Sequence, residues 1–216
     1  MGALRLPVLY GLTDSRGDRN FSSTDAVRLL LSAGVRLLQL RDKSADVRRR
    51  LAAAFEAVTL VRAAGGMVIV NDRSDVALLA HADGVHLGED DLRASEARRV
   101  MGGAALIGVS THSVESARKA MEGIESSYVA LGPILATGSK STSFAPLGIA
   151  AIEKAALHKT KPLVVIGGLT PRLVGDCLAA GADSVAMIAG LLDGDPASNV
   201  LEALEAARRA GYGDIP

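Results

Sequence analysis

The chain has 216 residues with 24 basic and 24 acidic side chains, and this zero net charge argues against a nucleic-acid surface or a polybasic membrane patch. Aromatics make up 3% and Trp is absent, which leaves little for base stacking. The hydrophobic share of 49% supports one large core, and no linker or compositional shift divides the chain, so residues 1–216 are read as a single domain.

Residues 6–12 predict a strand that ends at Thr13 and Asp14, followed by a polar loop to Asn20. Ser23 or Thr24 is the expected cap of a helix to about residue 33, with Val27, Leu30 and Leu31 on its apolar face and Gly34 ending it. Residues 35–40 form the second strand, which runs into Arg41-Asp-Lys43. A long Ala-, Leu- and Arg-rich helix over 45–64 stops at Gly65-Gly66. Met67-Val-Ile-Val-Asn-Asp72 is a third strand with a polar end. A compact helix follows, then the fourth strand, Asp83-Gly-Val-His-Leu-Gly88, leading to Asp91.

Residues 93–101 predict a short helix closed by Gly102-Gly103, and 105–109 a fifth strand ending at Ser110. Ser113 caps a helix to about residue 123, and 127–131 is the sixth strand. The loop 132–143 is rich in Gly, Ser and Thr. A helix over 147–157 and a strand over 162–166 come next, the latter ending in Gly167-Gly168. Thr170 is the expected cap of the following helix, with Pro171 in its first turn and Cys177 on a core position. Residues 182–188 form the eighth strand, and Pro196 opens a last helix to about residue 209.

Eight strands, each followed by a helix, predict a (β/α)8 TIM barrel. Ala82-Asp-Gly-Val85 and Ala182-Asp-Ser-Val185 echo one another four units apart, as a repeating barrel would have them. The competing doubly wound fold carries a Gly-rich turn after its first strand, and Gly11-Leu-Thr-Asp-Ser is not one. The lone Cys177 excludes an internal disulfide, the N-terminus lacks a signal pattern, and the apolar runs are too short to span a bilayer. The expectation is a cytoplasmic protein with neither nucleic acid nor membrane as partner, and a homo-oligomer is left open.

In a parallel barrel every polar strand end lies on the C-terminal face, where barrel enzymes place their chemistry. Alternation would turn Gln39, Arg41 and Lys43 the same way, two cations and an amide suited to a diphosphate, unless they belong to a solvated loop. Asp72 and Asp91, each just past neighbouring strands, suit a shared Mg²⁺, although a lone Asp before a helix is more often a cap. Gly167-Gly168 predicts exposed backbone N–H groups for a phosphate, or simply a tight turn. The loop 132–143 reads as a lid that brings Lys140 to the substrate, or as a plain connection. His86 and His112 lack metal-ligand spacing and are expected to pack or hydrogen-bond. Ser110-Thr-His112 has no triad partner, which excludes a serine hydrolase.

The ordered set Gln39-Leu-Arg-Asp-Lys43, Val70-Asn-Asp72, Asp83-Gly-Val-His-Leu-Gly88 with Asp91, Gly108-Val-Ser110, Leu131-Gly-Pro133, Ile166-Gly-Gly168 and Gly181-Ala-Asp183 resembles the thiamine phosphate synthase family. The resemblance runs from about Leu9 to Ile188. It implies a TIM-barrel transferase that joins a pyrimidine methyl diphosphate to a thiazole phosphate and releases diphosphate. It implies a Mg²⁺ ion in each subunit, held by Asp72 and Asp91. Gln39, Leu40, Arg41, Asp42, Lys43, Asn71, Ser110 and Lys140 would bind the pyrimidine diphosphate, with Ser110, Lys140, Arg41 and Lys43 serving catalysis. Thr137, Gly138, Ser139, Gly168, Ile188 and Ala189 would bind the thiazole phosphate.

The family's reaction is dissociative, so no strong protein base is expected. The chain departs from the family pattern at Leu135-Ala136, where an aromatic residue and Pro are usual, at Ser139 for Thr, and at Ala189 for Ser. Two alternatives stand beside the synthase: a related thiazole tautomerase using His112 as acid/base without a metal pair, and a non-catalytic phosphate-binding barrel.

Overall fold

Short runs of Leu, Val, Ile and Ala make the strands, and both of their faces are buried, as a parallel sheet covered by helices requires. The computed structural model describes residues 4–14, 22–42, 46–138 and 144–213. The strands are β1 (Leu9–Leu12), β2 (Leu37–Leu40), β3 (Met67–Asn71), β4 (Gly84–Leu87), β5 (Leu106–Thr111), β6 (Tyr128–Leu131), β7 (Leu163–Ile166) and β8 (Ser184–Met187). Each pairs in parallel with the next, and β8 pairs back onto β1, closing a TIM barrel. The outer layer holds α1 (Ser23–Ser32), α2 (Val47–Ala63), α3 (Ser74–Leu79), α4 (Ala94–Met101), α5 (Val114–Glu122), α6 (Ala150–Ala156), α7 (Val174–Ala179), α8 (Ala189–Leu192) and α9 (Pro196–Arg209). No helix among the described residues is long and apolar enough to cross a membrane.

Several local expectations shift by a residue or more, for physical reasons. The cap of α1 is Ser22, one residue before the expected Ser23 and two before Thr24. Its Oγ accepts from the Asp25 N–H at 3.1 Å and its own N–H donates to Asp25 Oδ2 at 3.1 Å, a reciprocal capping box. Thr170 makes no side-chain cap bond, and Pro171–Leu173 is a 3-10 turn that runs into α7. The predicted helix over 147–157 begins late. The Leu147 and Gly148 N–H groups donate to the Pro133 and Ile134 carbonyls at 3.0 and 2.8 Å, which holds that stretch against the β6 loop. Between the eighth strand and Pro196, where the sequence predicts no element, α8 forms. Cys177 is buried in α7, as expected, and burial with the nearby Asp176 charge pushes its thiol up to about 12.

The echo noted in the sequence has a structural cause at the N-terminal end of the barrel. The Val68 N–H donates to Asp83 Oδ2 at 2.8 Å, and the Asp83 N–H returns a bond to the Val68 carbonyl at 2.9 Å. Leu163 and Asp183 repeat the pair at 2.8 and 2.8 Å. Ile107 and Ser127 form a third copy, in which Ser127 Oγ accepts at 3.0 Å and the Ser127 N–H donates at 2.6 Å. The residue entering or preceding β4, β6 and β8 therefore clamps the start of the strand before it.

Inside the barrel, Tyr10 and Tyr128 are fully buried and meet edge to face with ring centroids 6.1 Å apart. Gly108 in β5 makes this possible. A Cβ there would lie 2.1 Å from Tyr128 Cζ and 2.3 Å from its hydroxyl oxygen, so only glycine leaves room for the phenol.

Candidate active site

The C-terminal face encloses a cavity of about 460 Å³, and every strand contributes to its wall or floor. Tyr10 comes from β1, Gln39 from β2, Asn71 from β3, His86 from β4 and Ser110 from β5. Ala130, Ile166 and Met187 represent β6, β7 and β8. Residues far apart in sequence converge because each strand ends at the same side of a parallel barrel.

Of the predicted site residues, Gln39, Arg41, Asn71, Ser110, Thr137, Gly138, Gly168, Ile188 and Ala189 border the cavity. Leu40 does not, because pleating turns it the other way: it is 3% exposed and packs in the core. Any contact it makes with a ligand would be through its backbone. Asp42, Asp72 and Asp91 are half-buried and stand outside the wall. Lys43, Ser139 and Lys140 lie outside the described residues.

Arg41 is held from below by the end of β1. Its Nη1 lies 3.0 Å from Asp14 Oδ1, in a pair whose side chains are 13% and 0% exposed. Its backbone N–H donates to Thr13 Oγ1 at 2.9 Å. A guanidinium fixed by a buried carboxylate presents its remaining donors in a set direction, which suits an anionic ligand. In the sequence Thr13 and Asp14 mark only the end of a strand. Their signal was the pairing of β1 with β2, which sets Leu12 beside Gln39.

Across the cavity, the β6 loop continues the ladder into β7. The Ile134 N–H donates to the Ile166 carbonyl and the Leu135 N–H to the Gly167 carbonyl, each at 2.9 Å. Gly168 adopts φ 65°, and a Cβ there would stand 2.3 Å from the Ala136 carbonyl oxygen. This close approach of two bare backbones, beside Ile188, Ala189 and Gly190 after β8, is where barrels frequently hold a phosphate. At the same rim the His112 ring stacks on Phe144 with centroids 3.9 Å apart, and His112 Nδ1 lies 2.6 Å from the Gly132 carbonyl oxygen.

The two aspartates are not helix caps. Arg73 is the N-cap of α3 and Arg93 that of α4. Asp72 follows β3 in the left-handed region, φ 66°, and its N–H donates to the His86 carbonyl at 2.8 Å, which ties it to β4. Asp91 Oδ2 accepts from the Gly88 N–H at 2.7 Å just past β4. Both carboxylates therefore stand at the C-terminal ends of adjacent strands. No group of three or more His, Cys, Asp or Glu side chains that could hold a metal occurs among the described residues. Two hard oxygen donors at neighbouring strand ends fit Mg²⁺, which keeps several waters and is commonly bound by one or two carboxylates plus substrate phosphates.

Beneath the cavity runs a continuous chain of side-chain hydrogen bonds. Gln39 Nε2 donates to Tyr10 Oη at 3.0 Å, and Tyr10 Oη lies 2.9 Å from Tyr128 Oη. Tyr128 Oη is 3.0 Å from His86 Nδ1, and His86 Nε2 is 2.9 Å from Ser110 Oγ. Burial pushes both phenols well above the usual tyrosine range, so they remain protonated. His86 is thus a hydrogen-bonding residue, as expected. Tyr10 and Tyr128 were not anticipated. Their signal is a hydroxyl tip inside an otherwise apolar strand whose burial on all sides demands a partner.

The model of the family described as thiamine monophosphate synthase matches residues 9–191. A thiamine-phosphate synthase of Methanoculleus marisnigri is 43% identical over 208 residues, 94% of this chain and 98% of the relative. One from Chlorobium luteolum is 38% identical over 216 residues, covering 99% and 100%. Among solved structures, a thiamine phosphate pyrophosphorylase from Pyrococcus furiosus superposes with a TM-score of 0.82 at 27% identity, covering 94% of this chain and 96% of the other. By family match, near-complete coverage and shared barrel, the chain belongs to the thiamine monophosphate synthase family and is an enzyme that transfers an alkyl group.

Proposed function

We propose that the cavity joins 4-amino-2-methyl-5-(diphosphooxymethyl)pyrimidine to 4-methyl-5-(2-phosphooxyethyl)thiazole, giving thiamine phosphate and diphosphate. The observation that carries this reading is the division of the cavity wall. Gln39, Arg41, Asn71 and Ser110 come from β2, β3 and β5, while Gly168, Ile188 and Ala189 follow β7 and β8 on the other side. One side offers side-chain donors and acceptors for a polar ring and its diphosphate. The other offers bare backbone for a phosphate.

The step this arrangement favours is departure of diphosphate ahead of attack. The C–O bond of the pyrimidine methyl group breaks with its electron pair leaving on diphosphate, and the aminopyrimidine carries the resulting positive charge. The thiazole nitrogen then gives its lone pair to form the new C–N bond. Arg41, fixed by Asp14, steadies the negative charge of the leaving group, and Lys43 and Lys140 are assigned the same task. Gln39, Asn71 and Ser110 orient the pyrimidine, and Thr137, Gly138, Ser139, Gly168, Ile188 and Ala189 hold the thiazole phosphate in line. Asp72 and Asp91 would hold a Mg²⁺ ion, which would supply further charge neutralisation on the diphosphate. No protein base is required. Asp42 and the Leu40 backbone complete the pyrimidine side.

Purified protein, given both substrates, should release diphosphate with Mg²⁺ and lose that release with a chelator. No release in either condition would sink the synthase reading. A second reading, thiazole tautomerase, draws on His112, which borders the cavity. Isomerisation of a thiazole carboxylate phosphate by the wild type that disappears in His112→Ala would favour it. We also place the enzyme in the cytoplasm, where a lone buried thiol such as Cys177 stays reduced.

A further inference from the structure

The chain Gln39–Tyr10–Tyr128–His86–Ser110 links β2, β1, β6, β4 and β5, and so crosses the barrel beneath the cavity. Its two ends, Gln39 and Ser110, both border the cavity, whereas Tyr128 sits wholly inside the barrel. Each phenol has one hydrogen to give, and a neutral imidazole has one N–H and one bare nitrogen. A phenol that accepts at both of its links leaves its own buried hydrogen without an acceptor in the chain, so the links share one direction. Since Gln39 donates its amide hydrogen to Tyr10, Tyr10 gives its proton to Tyr128. Tyr128 then gives its own to His86 Nδ1, leaving His86 as the Nε2–H tautomer, which donates to Ser110 Oγ. Ser110 accepts from below and keeps its own hydrogen for the cavity, while Gln39 keeps its carbonyl oxygen.

The one other arrangement that uses every hydrogen of the chain runs the opposite way throughout. The cavity would then meet a Gln39 amide N–H and a Ser110 lone pair. The barrel is built to keep the wire intact: Gly108 is the residue whose missing side chain admits the Tyr128 hydroxyl, and the His86 ring stacks on Tyr128 with centroids 5.6 Å apart.

We propose that Tyr10, Tyr128 and His86 are positioning residues that hold Gln39 as an acceptor and Ser110 as a donor, and so select a pyrimidine presenting an amino group to Gln39 and a bare ring nitrogen to Ser110. The inference rests on the synthase reading for the identity of the ring, but not for the direction of the wire. An oxo-pyrimidine of the same shape presents a carbonyl oxygen, an acceptor, where the amino group would meet Gln39. It leaves a buried polar group unpaired and is rejected.

The test combines nitrogen NMR of ¹⁵N-histidine-labelled protein, with His86 assigned from the His86→Gln spectrum, and kinetics of Tyr128→Phe. Wild-type His86 should show a bare Nδ1 and a protonated Nε2, and Tyr128→Phe should lose that single tautomer. In the same variant kcat/KM for the aminopyrimidine diphosphate should fall about tenfold, the factor for one hydrogen bond, and the preference over the oxo analogue by a similar factor. The KM for the thiazole phosphate should not move. Tyr10→Phe, which cuts the wire one link nearer Gln39, is read in the same way if Tyr128→Phe does not fold. An Nδ1–H tautomer in the wild type, or an unchanged tautomer and unchanged preference in the variants, would overturn the proposal. A wild type that releases no diphosphate from either pyrimidine would overturn the synthase reading and the ring selection with it, while the tautomer still decides the direction of the wire.

Discussion

The two ends of this barrel use the same residue types in opposite ways. At the N-terminal end, Asp83, Ser127 and Asp183 give their oxygens to the backbone N–H groups that start the neighbouring strands. At the C-terminal end, Gln39, Asn71 and Ser110 turn toward a cavity, and the buried carboxylate of Asp14 meets the Arg41 guanidinium. An aspartate beside a strand thus clamps backbone at one end, while at the other Asp14 pairs with a guanidinium that borders the cavity. The difference follows from where the backbone is already paired. A strand start has N–H groups to satisfy, while the strand ends open onto space that a ligand can fill.

Substitutions at the two ends should separate these roles. The largest effect is expected at Asp91. Asp91→Ala should lower diphosphate release by at least about 100-fold at saturating Mg²⁺, with a wild-type far-ultraviolet circular dichroism spectrum. Full activity in that variant would remove the metal role. Asp14→Asn comes next. It weakens the buried partner of Arg41 and should cost about 3 kcal/mol of stability together with a rise in KM for the pyrimidine diphosphate, read by urea unfolding and steady-state kinetics. An unchanged KM would show that Arg41 does not need Asp14 for its aim.

Asp183→Ala probes the other end. It strips an acceptor from the Leu163 N–H and the partner from Lys159, whose Nζ lies 3.0 Å from Asp183 Oδ1. A loss of about 1–3 kcal/mol with unchanged kcat is expected, seen as a lower midpoint in thermal unfolding. The smallest effect is one of pH. Tyr10 and Tyr128 have folded pKa values raised by burial, so their contribution is fully present below the ordinary tyrosine pKa near about 10 and is lost as pH rises beyond it. Urea unfolding from pH 8 to 11 should show stability falling only at the alkaline end. In Tyr10→Phe/Tyr128→Phe that fall should be shallower.

Much of this division was legible in the amino-acid order. Apolar strands ending in Gln39, Asn71 and Ser110 announced a polar face, because parallel strands buried on both sides have no other reason to stop in such residues. The paired Asp83 and Asp183 echo was visible too, though only as a repeat. In the set that resembles the family, Gly181-Ala-Asp183 stood beside Asp72 and Asp91 with nothing local to show that it belongs to the opposite end. The parts that escaped depend on closure of the ring. Arg41 meets Asp14 across 27 positions and Tyr10 meets Tyr128 across 118, separations that no periodicity reports. The four-residue α8 is too short to leave a helical pattern.

The most direct test is diphosphate release by Asp91→Ala and Asp183→Ala, measured side by side with both substrates and Mg²⁺ at equal concentrations of folded protein. Asp183→Ala is expected to turn over like the wild type, and Asp91→Ala to lose at least about 100-fold. Equal losses in both variants, or loss only in Asp183→Ala, would contradict this expectation.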